Sequence, residues 1–304
     1  MWKTYGGKKV FEQYISNNKL EEFIEVVEDI ENLEDMEIGR IISIDTPEIL
    51  SMPGIKLENI IFETHTYEKR FRKYLDKYLK SVEFIVVPSQ SFKTMICKEY
   101  ENISDKVKVL SNFVLESKKS DETINLPKWN KTIFFYFGRM DENKNVSEVI
   151  EAFNECLKTN KNIILLLVGT MFDDKIMKYI DEYNLKQNIV ILPPIGFDNV
   201  HMFLNTMKKE KGIAISASKG ETYGLSVAEI ISYQIPIILS NIDAHQELVD
   251  SDERITYELG DSGDLAVKMN DLLENYEEYE AIIKEYKENI NEKKFLSEFK
   301  EIYG

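Results

Sequence analysis

Residues 216–229 read Ser216-Ala217-Ser218-Lys219-Gly220-Glu221-Thr222-Tyr223-Gly224-Leu225-Ser226-Val227-Ala228-Glu229. The segment before them, 212–216, predicts a strand, and 223–233 predicts a helix. The quoted stretch is therefore a strand-to-helix loop. It carries two glutamates separated by seven residues. With a helix starting near Tyr223, Glu221 sits just before its N-terminus and Glu229 about two turns in. Gly224 permits close approach of a ligand to the backbone. The first-turn amides of a helix have no intrahelical acceptor and can hold an anion. A carboxylate on the helix can accept both hydroxyls of a vicinal diol such as a ribose. One loop thus has the parts to hold a phosphate and a sugar.

The alternation of strand and helix extends outward from this loop. Strands are expected at 132–137, 163–168, 189–192, 212–216 and 236–240, with helices at 146–157, 174–183, 200–208 and 223–233. Five strands alternating with helices describe a doubly wound, Rossmann-like domain, whose ligands bind beyond the carboxyl ends of the strands. That rule points to the loops starting at Gly138, Gly169, Pro193 and Ala217. The first of them reads Gly138-Arg139-Met140-Asp141-Glu142-Asn143-Lys144. Arg139 supplies a planar fork and Lys144 a point charge, so the two can converge on a diphosphate. The tail from Leu265 reads as helical and highly charged.

The first half follows the same logic. Leu20, Phe23, Ile24, Val27 and Ile30 recur at helical spacing within 11–36. Strands are expected at 40–45, 59–63, 82–87 and 107–110, with a helix through Leu79 and another, capped by Ser89, to about Tyr100. This order argues for a second parallel sheet. The stretch 116–130 lacks periodicity and reads as a linker. The expected division is an acceptor-side domain over 1–120, a linker over 121–130 and a nucleotide-sugar domain over 131–304.

A strand ending in G-R-x4-K, followed about eighty residues later by E-x7-E with an inner glycine, resembles glycosyltransferase family 4 (group 1), retaining enzymes of the two-domain GT-B fold. Ile235-Pro236-Ile237-Ile238 and Ala244-His245-Gln246-Glu247-Leu248-Val249 resemble the family's following strand and loop. The resemblance implies an α/β fold with two Rossmann-like domains facing a cleft. It implies that Arg139 and Lys144 bind the donor diphosphate and stabilise it as it leaves, that Glu221 orients the transferred sugar and that Glu229 binds the ribose. Gly138, Tyr223 and the amides of Gly224 and Leu225 would line the donor site, and Pro194, Ile195 and Gly196 would contact the base. Ile60-Ile61-Phe62-Glu63-Thr64-His65 is similar to the family's strand ending in a histidine near the donor sugar, which gives His65 a catalytic or sugar-binding role. Val86-Val87-Pro88-Ser89 and Val109-Leu110-Ser111-Asn112 resemble segments that follow it. The family's N-terminal domain is usually longer and starts with a glycine-rich loop. Here 64 residues precede His65, and Gly6-Gly7 is the nearest counterpart, so a reduced N-terminal domain is expected.

The implied function is transfer of a sugar from a nucleoside-diphosphate donor, a UDP-sugar by preference, to an acceptor hydroxyl with retention. The acceptor is open among glycan, lipid, protein and small molecule. Two alternatives stand beside this reading. One is an inactive glycosyltransferase-like subunit that supports a partner enzyme, the other a different enzyme of the same fold, such as an epimerase or phosphorylase. No DxD motif or metal-ligand cluster is present, and the resemblance implies no metal and no resident cofactor.

The chain of 304 residues carries a net charge of -16, which argues against generic nucleic-acid binding. Nine acidic residues and no basic one fall in 21–37, read as the solvated face of a helix or a surface for a basic partner. The opposite bias occurs at 67–80, where Lys69, Arg70, Arg72, Lys73, Lys77 and Lys80 interleave with Phe71, Tyr74, Leu75, Tyr78 and Leu79. This reads as a basic amphipathic helix, packed on the protein or touching a membrane surface or an anionic acceptor. No apolar run reaches membrane-spanning length and no secretion signal opens the chain, so a cytosolic location is expected, with peripheral membrane contact through 67–80. Cys97 and Cys156 lack CxxC spacing and read as buried thiols. His201 and His245 show no partner pattern.

Overall fold

The protein is described from a computed structural model covering residues 12, 15, 16, 19, 21, 40–114, 121–171, 173–290 and 292–303. The helix expected over 11–36, with its acidic run, and the Gly6-Gly7 loop lie outside the described residues, apart from those five positions. The chain divides into two compact units, Met1–Leu110 with Glu298–Gly304, and Ser111–Ser297. Among the described residues no helix is long and apolar enough to cross a membrane.

The first unit is built on a parallel sheet of four short strands in sequence order, β1 (Ile41–Ile44), β2 (Ile60–Glu63), β3 (Phe84–Val87) and β4 (Val107–Val109). All four residues of β2 are buried, as a central strand covered on both faces requires. Between β2 and β3 the expected single helix is broken into a 3-10 turn, Lys69–Phe71, and a short helix α1, Tyr74–Tyr78. Arg72 lies between them. It is fully buried and donates to both Glu99 oxygens, at 2.9 and 3.2 Å, and to Tyr67 O at 3.0 Å. Its burial takes this guanidinium out of the basic stripe. The other five basic residues of the stretch stay exposed. Helix α2 (Gln90–Glu99) is capped as expected, with Ser89 Oγ accepting from Phe92 N at 3.0 Å, a contact that contributes about 1 kcal/mol.

The second unit holds a six-stranded parallel sheet made of β5 (Thr132–Phe137), β6 (Ile163–Val168), β7 (Ile189–Leu192), β8 (Ile213–Ser216), β9 (Ile237–Ser240) and β10 (Thr256–Tyr257). Its order, β10-β9-β8-β5-β6-β7, is doubly wound, and the direction of progression reverses between β5 and β8. Every side chain of β6 is buried. Helices α3 (Val146–Thr159), α4 (Lys175–Glu182), α5 (Val200–Lys209), α6 (Leu225–Ser232) and α7 (Asp243–Leu248) follow β5 to β9, and α8 (Ser262–Glu274), α9 (Tyr276–Glu285) and α10 (Glu292–Tyr303) form the tail.

Residues 121–130, expected as a linker, pack on the second unit. Ile124 N donates to Thr206 Oγ1 at 3.0 Å, and Ile124, Leu126 and Trp129 lie against its core. Burying those three apolar side chains fixes the segment there, and the last residues of α10 group instead with the first unit. Cys156 is buried, with its thiol pushed up to about 12 by burial, whereas Cys97 is only partly buried against the smaller core.

Candidate functional site

The loops leaving β5, β6 and β7 are stacked through their backbones. Gly138 N donates to Val168 O at 3.0 Å and Gly169 N to Leu192 O at 3.2 Å, so the ladder runs one residue past each strand. Both glycines have φ of +147°, and a Cβ on Gly169 would lie 1.7 Å from the Gly138 carbonyl oxygen. Only a glycine at 169 lets these loops touch. They enclose a pocket of about 190 Å³ lined by Phe137, Gly138, Arg139, Val168, Gly169, Thr170, Pro194 and Ile195. Gly196, expected beside Pro194 and Ile195, caps the next 3-10 turn and is not in the wall.

Arg139 is open to solvent, with 59% of its side chain exposed, and lies 3.5 Å from Asp141. The Tyr136 hydroxyl donates to the Arg139 carbonyl and fixes the turn from beneath. Asp141 also accepts from Lys144 N at 3.1 Å. Asn145, at φ +53°, turns the chain from Lys144 into α3.

This loop is tied to the one after β8. Asn143 Nδ2 donates to Gly220 O at 2.8 Å, and Lys219 N donates to Asn143 O at 2.8 Å. Lys144 Nζ pairs with Glu221 Oε1, which also accepts from Ser218 Oγ at 2.7 Å. Burial alone would raise the Glu221 carboxyl. Lys144, with His245 and Ser218 in support, outweighs it and holds the group below the usual carboxylate range. Lys144 and Glu221, from separate motifs, thus form one cluster.

Helix α6 begins at Leu225, two residues later than expected, because Gly224 is left-handed at φ +96° and cannot be a helical residue. Glu229 consequently stands about one turn into the helix instead of two. Tyr223 is 5% exposed with its ring in the core, so its side chain does not line the site. Leu225 is exposed at the helix start, where first-turn amides lack intrahelical acceptors. Glu229 is half-buried, and burial pushes its carboxyl up to about 7. Among the described residues no hydrogen bond is made to that carboxyl.

The sequence assigns His245 no partner. The segment read as a loop is helix α7, and it places His245 fully buried behind Gly224. Its Nδ1 donates to Ser240 O at 3.0 Å, and Nε2 lies 3.5 Å from Ser216 Oγ. Burial lowers the imidazole to about 4, so the ring is neutral at neutral pH. Ser240 Oγ donates to Ser218 O at 2.7 Å, which joins this back wall to the Glu221 loop. A lone histidine at no recurring spacing gave no signal for this.

His65 belongs to the first unit. Its Nε2 lies 2.7 Å from Glu63 Oε1. Burial opposes the charged ring, but the bond to Glu63 and the charges of Glu63 and Asp45 raise its pKa above the ordinary 6.5.

Residues 117–289 match the family model for glycosyl transferases group 1. That is more than half of the chain, and the chain belongs to this family. A probable sucrose-phosphate synthase of Thermosipho melanesiensis is 22% identical over 223 residues, 68% of this chain and 52% of the relative. A mutant of S. aureus TarM, solved in complex with fondaparinux, alpha-GlcNAc-glycerol and UDP, aligns with a TM-score of 0.67 and 19% identity over 86% of this chain and 54% of that one. Anabaena HepE, solved in complex with UDP and glucose, aligns with a TM-score of 0.65 and 14% identity over 80% and 70%. The chain spans about half the length of the first two. The two parallel sheets and these likenesses make the fold the GT-B type, with two Rossmann-like units.

Proposed function

We propose that the second unit binds a nucleoside-diphosphate sugar, with UDP favoured, and that the chain transfers the sugar to an acceptor hydroxyl with retention of configuration. One observation carries the reading. Glu229 presents a desolvated carboxyl with no hydrogen bond among the described residues, one turn into the helix that follows the Glu221 loop. A ribose diol supplies the two donors that this carboxyl lacks. Family membership and the UDP in the TarM and HepE complexes support the choice of ligand.

In this reading the pocket walled by Phe137, Val168, Pro194 and Ile195 takes the base. Arg139, Lys144 and the amides at Gly224 and Leu225 meet the diphosphate. Glu221 turns from Lys144 toward the hydroxyls of the transferred sugar. The acceptor attacks from the face the diphosphate leaves, its proton passes to the departing phosphate oxygen, and the protein stabilises the leaving charge.

The test is a thermal-shift comparison of UDP, GDP, ADP and their sugar conjugates on wild type and Glu229→Ala. Ligand that binds only the folded state raises Tm by mass action. The expected result is stabilisation by the uridine nucleotides, lost in the variant. No shift with any nucleotide would overturn the donor site.

A further inference from the structure

The carboxyl edge of the first sheet holds a network that the reading above does not use. Asp45, at the end of β1, sits at φ +45°, a left-handed conformation unfavourable for a residue with a Cβ. Its carboxylate accepts from His65 N at 3.1 Å to each oxygen, from Thr64 Oγ1 at 3.0 Å and from Thr66 Oγ1 at 3.3 Å. The backbone of 64–66 is thereby clamped to the neighbouring strand end. The ring of His65 is held separately, by Glu63 Oε1 at 2.7 Å from Nε2. The second Glu63 oxygen accepts from the Tyr303 hydroxyl at 3.4 Å. One carboxylate fixes the histidine's main chain and another fixes its ring. The side chain nonetheless remains 26% exposed.

We propose that Glu63 is a positioning residue for His65: it commits Nε2 to an internal bond and leaves Nδ1 as the single ring nitrogen that can donate to a ligand oxygen. A carboxylate can only accept, so Nε2 must carry a proton whether the ring is neutral or charged. Among the described residues, the charged and titratable groups around the ring are Glu63 on β2, Asp45 after β1, Tyr303 through Glu63, and Tyr74 through Thr64. The two carboxylates favour the imidazolium, whose Nδ1–H donates to a hydroxyl or phosphate oxygen and cannot act as a base. This rests on the sugar-transfer reading for its ligand, a sugar hydroxyl or phosphate oxygen at the sheet's carboxyl edge. The geometry of the pair itself does not depend on that reading.

The experiment is a nitrogen-15 titration of the imidazoles in the full chain, with His65 assigned by its loss in His65→Gln. In wild type Nε2 stays protonated throughout and Nδ1 titrates. Glu63→Gln keeps a partner at Nε2 but removes the charge, so the midpoint falls by roughly one pH unit, while its amide, which can accept or donate, relaxes the tautomer preference. Glu63→Leu loses the tautomer preference as well, and if it does not fold the Gln variant decides. A wild-type neutral ring protonated on Nδ1 would overturn the proposal, as would equal midpoints in wild type and a normally melting Glu63→Gln. A second readout is sugar transfer. Glu63→Gln/His65→Gln should be no slower than His65→Gln alone, because Glu63 acts through the ring, and an additional loss in the double variant counts against it. Absence of any transfer by wild type would sink the sugar-transfer reading and leave the titration to decide this one.

Discussion

Lys144 and Glu221 are 77 residues apart in sequence, yet they form an ion pair at the carboxyl end of the second sheet, each with only 14% of its side chain exposed. A pair this desolvated is worth little against an apolar substitute, but losing one partner strands the other. Lys144→Met should therefore destabilise the protein by about 2 kcal/mol, read by urea unfolding, and Glu221→Gln by less, since the amide oxygen can still accept from the stranded Lys144 ammonium. Their effects on ligand should separate. In the proposed function Lys144 is shared between Glu221 and the diphosphate. Lys144→Met should weaken UDP, whereas Glu221→Gln should hold UDP as tightly as wild type or tighter while transfer collapses. Equal weakening of UDP in both variants would mean that the pair is purely structural.

Gly169 and Gly196 make a matched contrast in backbone freedom. A Cβ on Gly169 meets the Gly138 carbonyl oxygen at 1.7 Å at a φ of +147°, whereas one on Gly196 meets nothing within 4 Å, and the φ of Gly196 is an ordinary -62°. Gly169→Ala must push apart the loops after β5 and β6, at a cost of about 2–4 kcal/mol, and should abolish nucleotide binding with it. Gly196→Ala should stay within about 0.5 kcal/mol of wild type. Equal unfolding midpoints for the two variants would show that the stacked loops can part at little cost.

Most of this architecture is legible in the sequence because parallel strands buried on both faces read as unbroken apolar runs. Ile163–Val168 is such a run, and its bounds match the strand observed. The limits of that signal are equally specific. Thr256–Tyr257 contributes two residues to the sheet, too few for any periodicity. The start of α6 moved because a left-handed Gly224 overrides helix propensity. Arg72 looks like one more surface cation in a basic stripe until Glu99, 27 residues on, is folded beneath it. Within the candidate site, Arg139, Lys144, Glu221 and Glu229 stand out as motif residues. Their pairing does not, and neither does the back wall of His245 and Ser240, because both arise from contacts between loops far apart in sequence.

Glu229 should make donor binding depend on pH in a definite direction. Burial raises its carboxyl to about 7 from an ordinary 4.5. A raised carboxyl favours the folded state below the ordinary value, and that contribution is lost as pH rises through about 7. In the unliganded protein the group is thus mostly neutral at pH 6 and mostly ionised at pH 8. A ribose diol donates to the carboxylate more strongly than to the acid, so donor binding favours the ionised form. Affinity for a UDP-sugar, whose diphosphate has no proton left to lose in this range, should tighten about tenfold between pH 6 and 8. Calorimetry should also register proton release on binding at the lower pH. Glu229→Gln removes the titrating group, so its affinity should be weaker at pH 8 and flat across the range. Parallel pH slopes in wild type and variant would assign the dependence to another group and take the ribose away from Glu229.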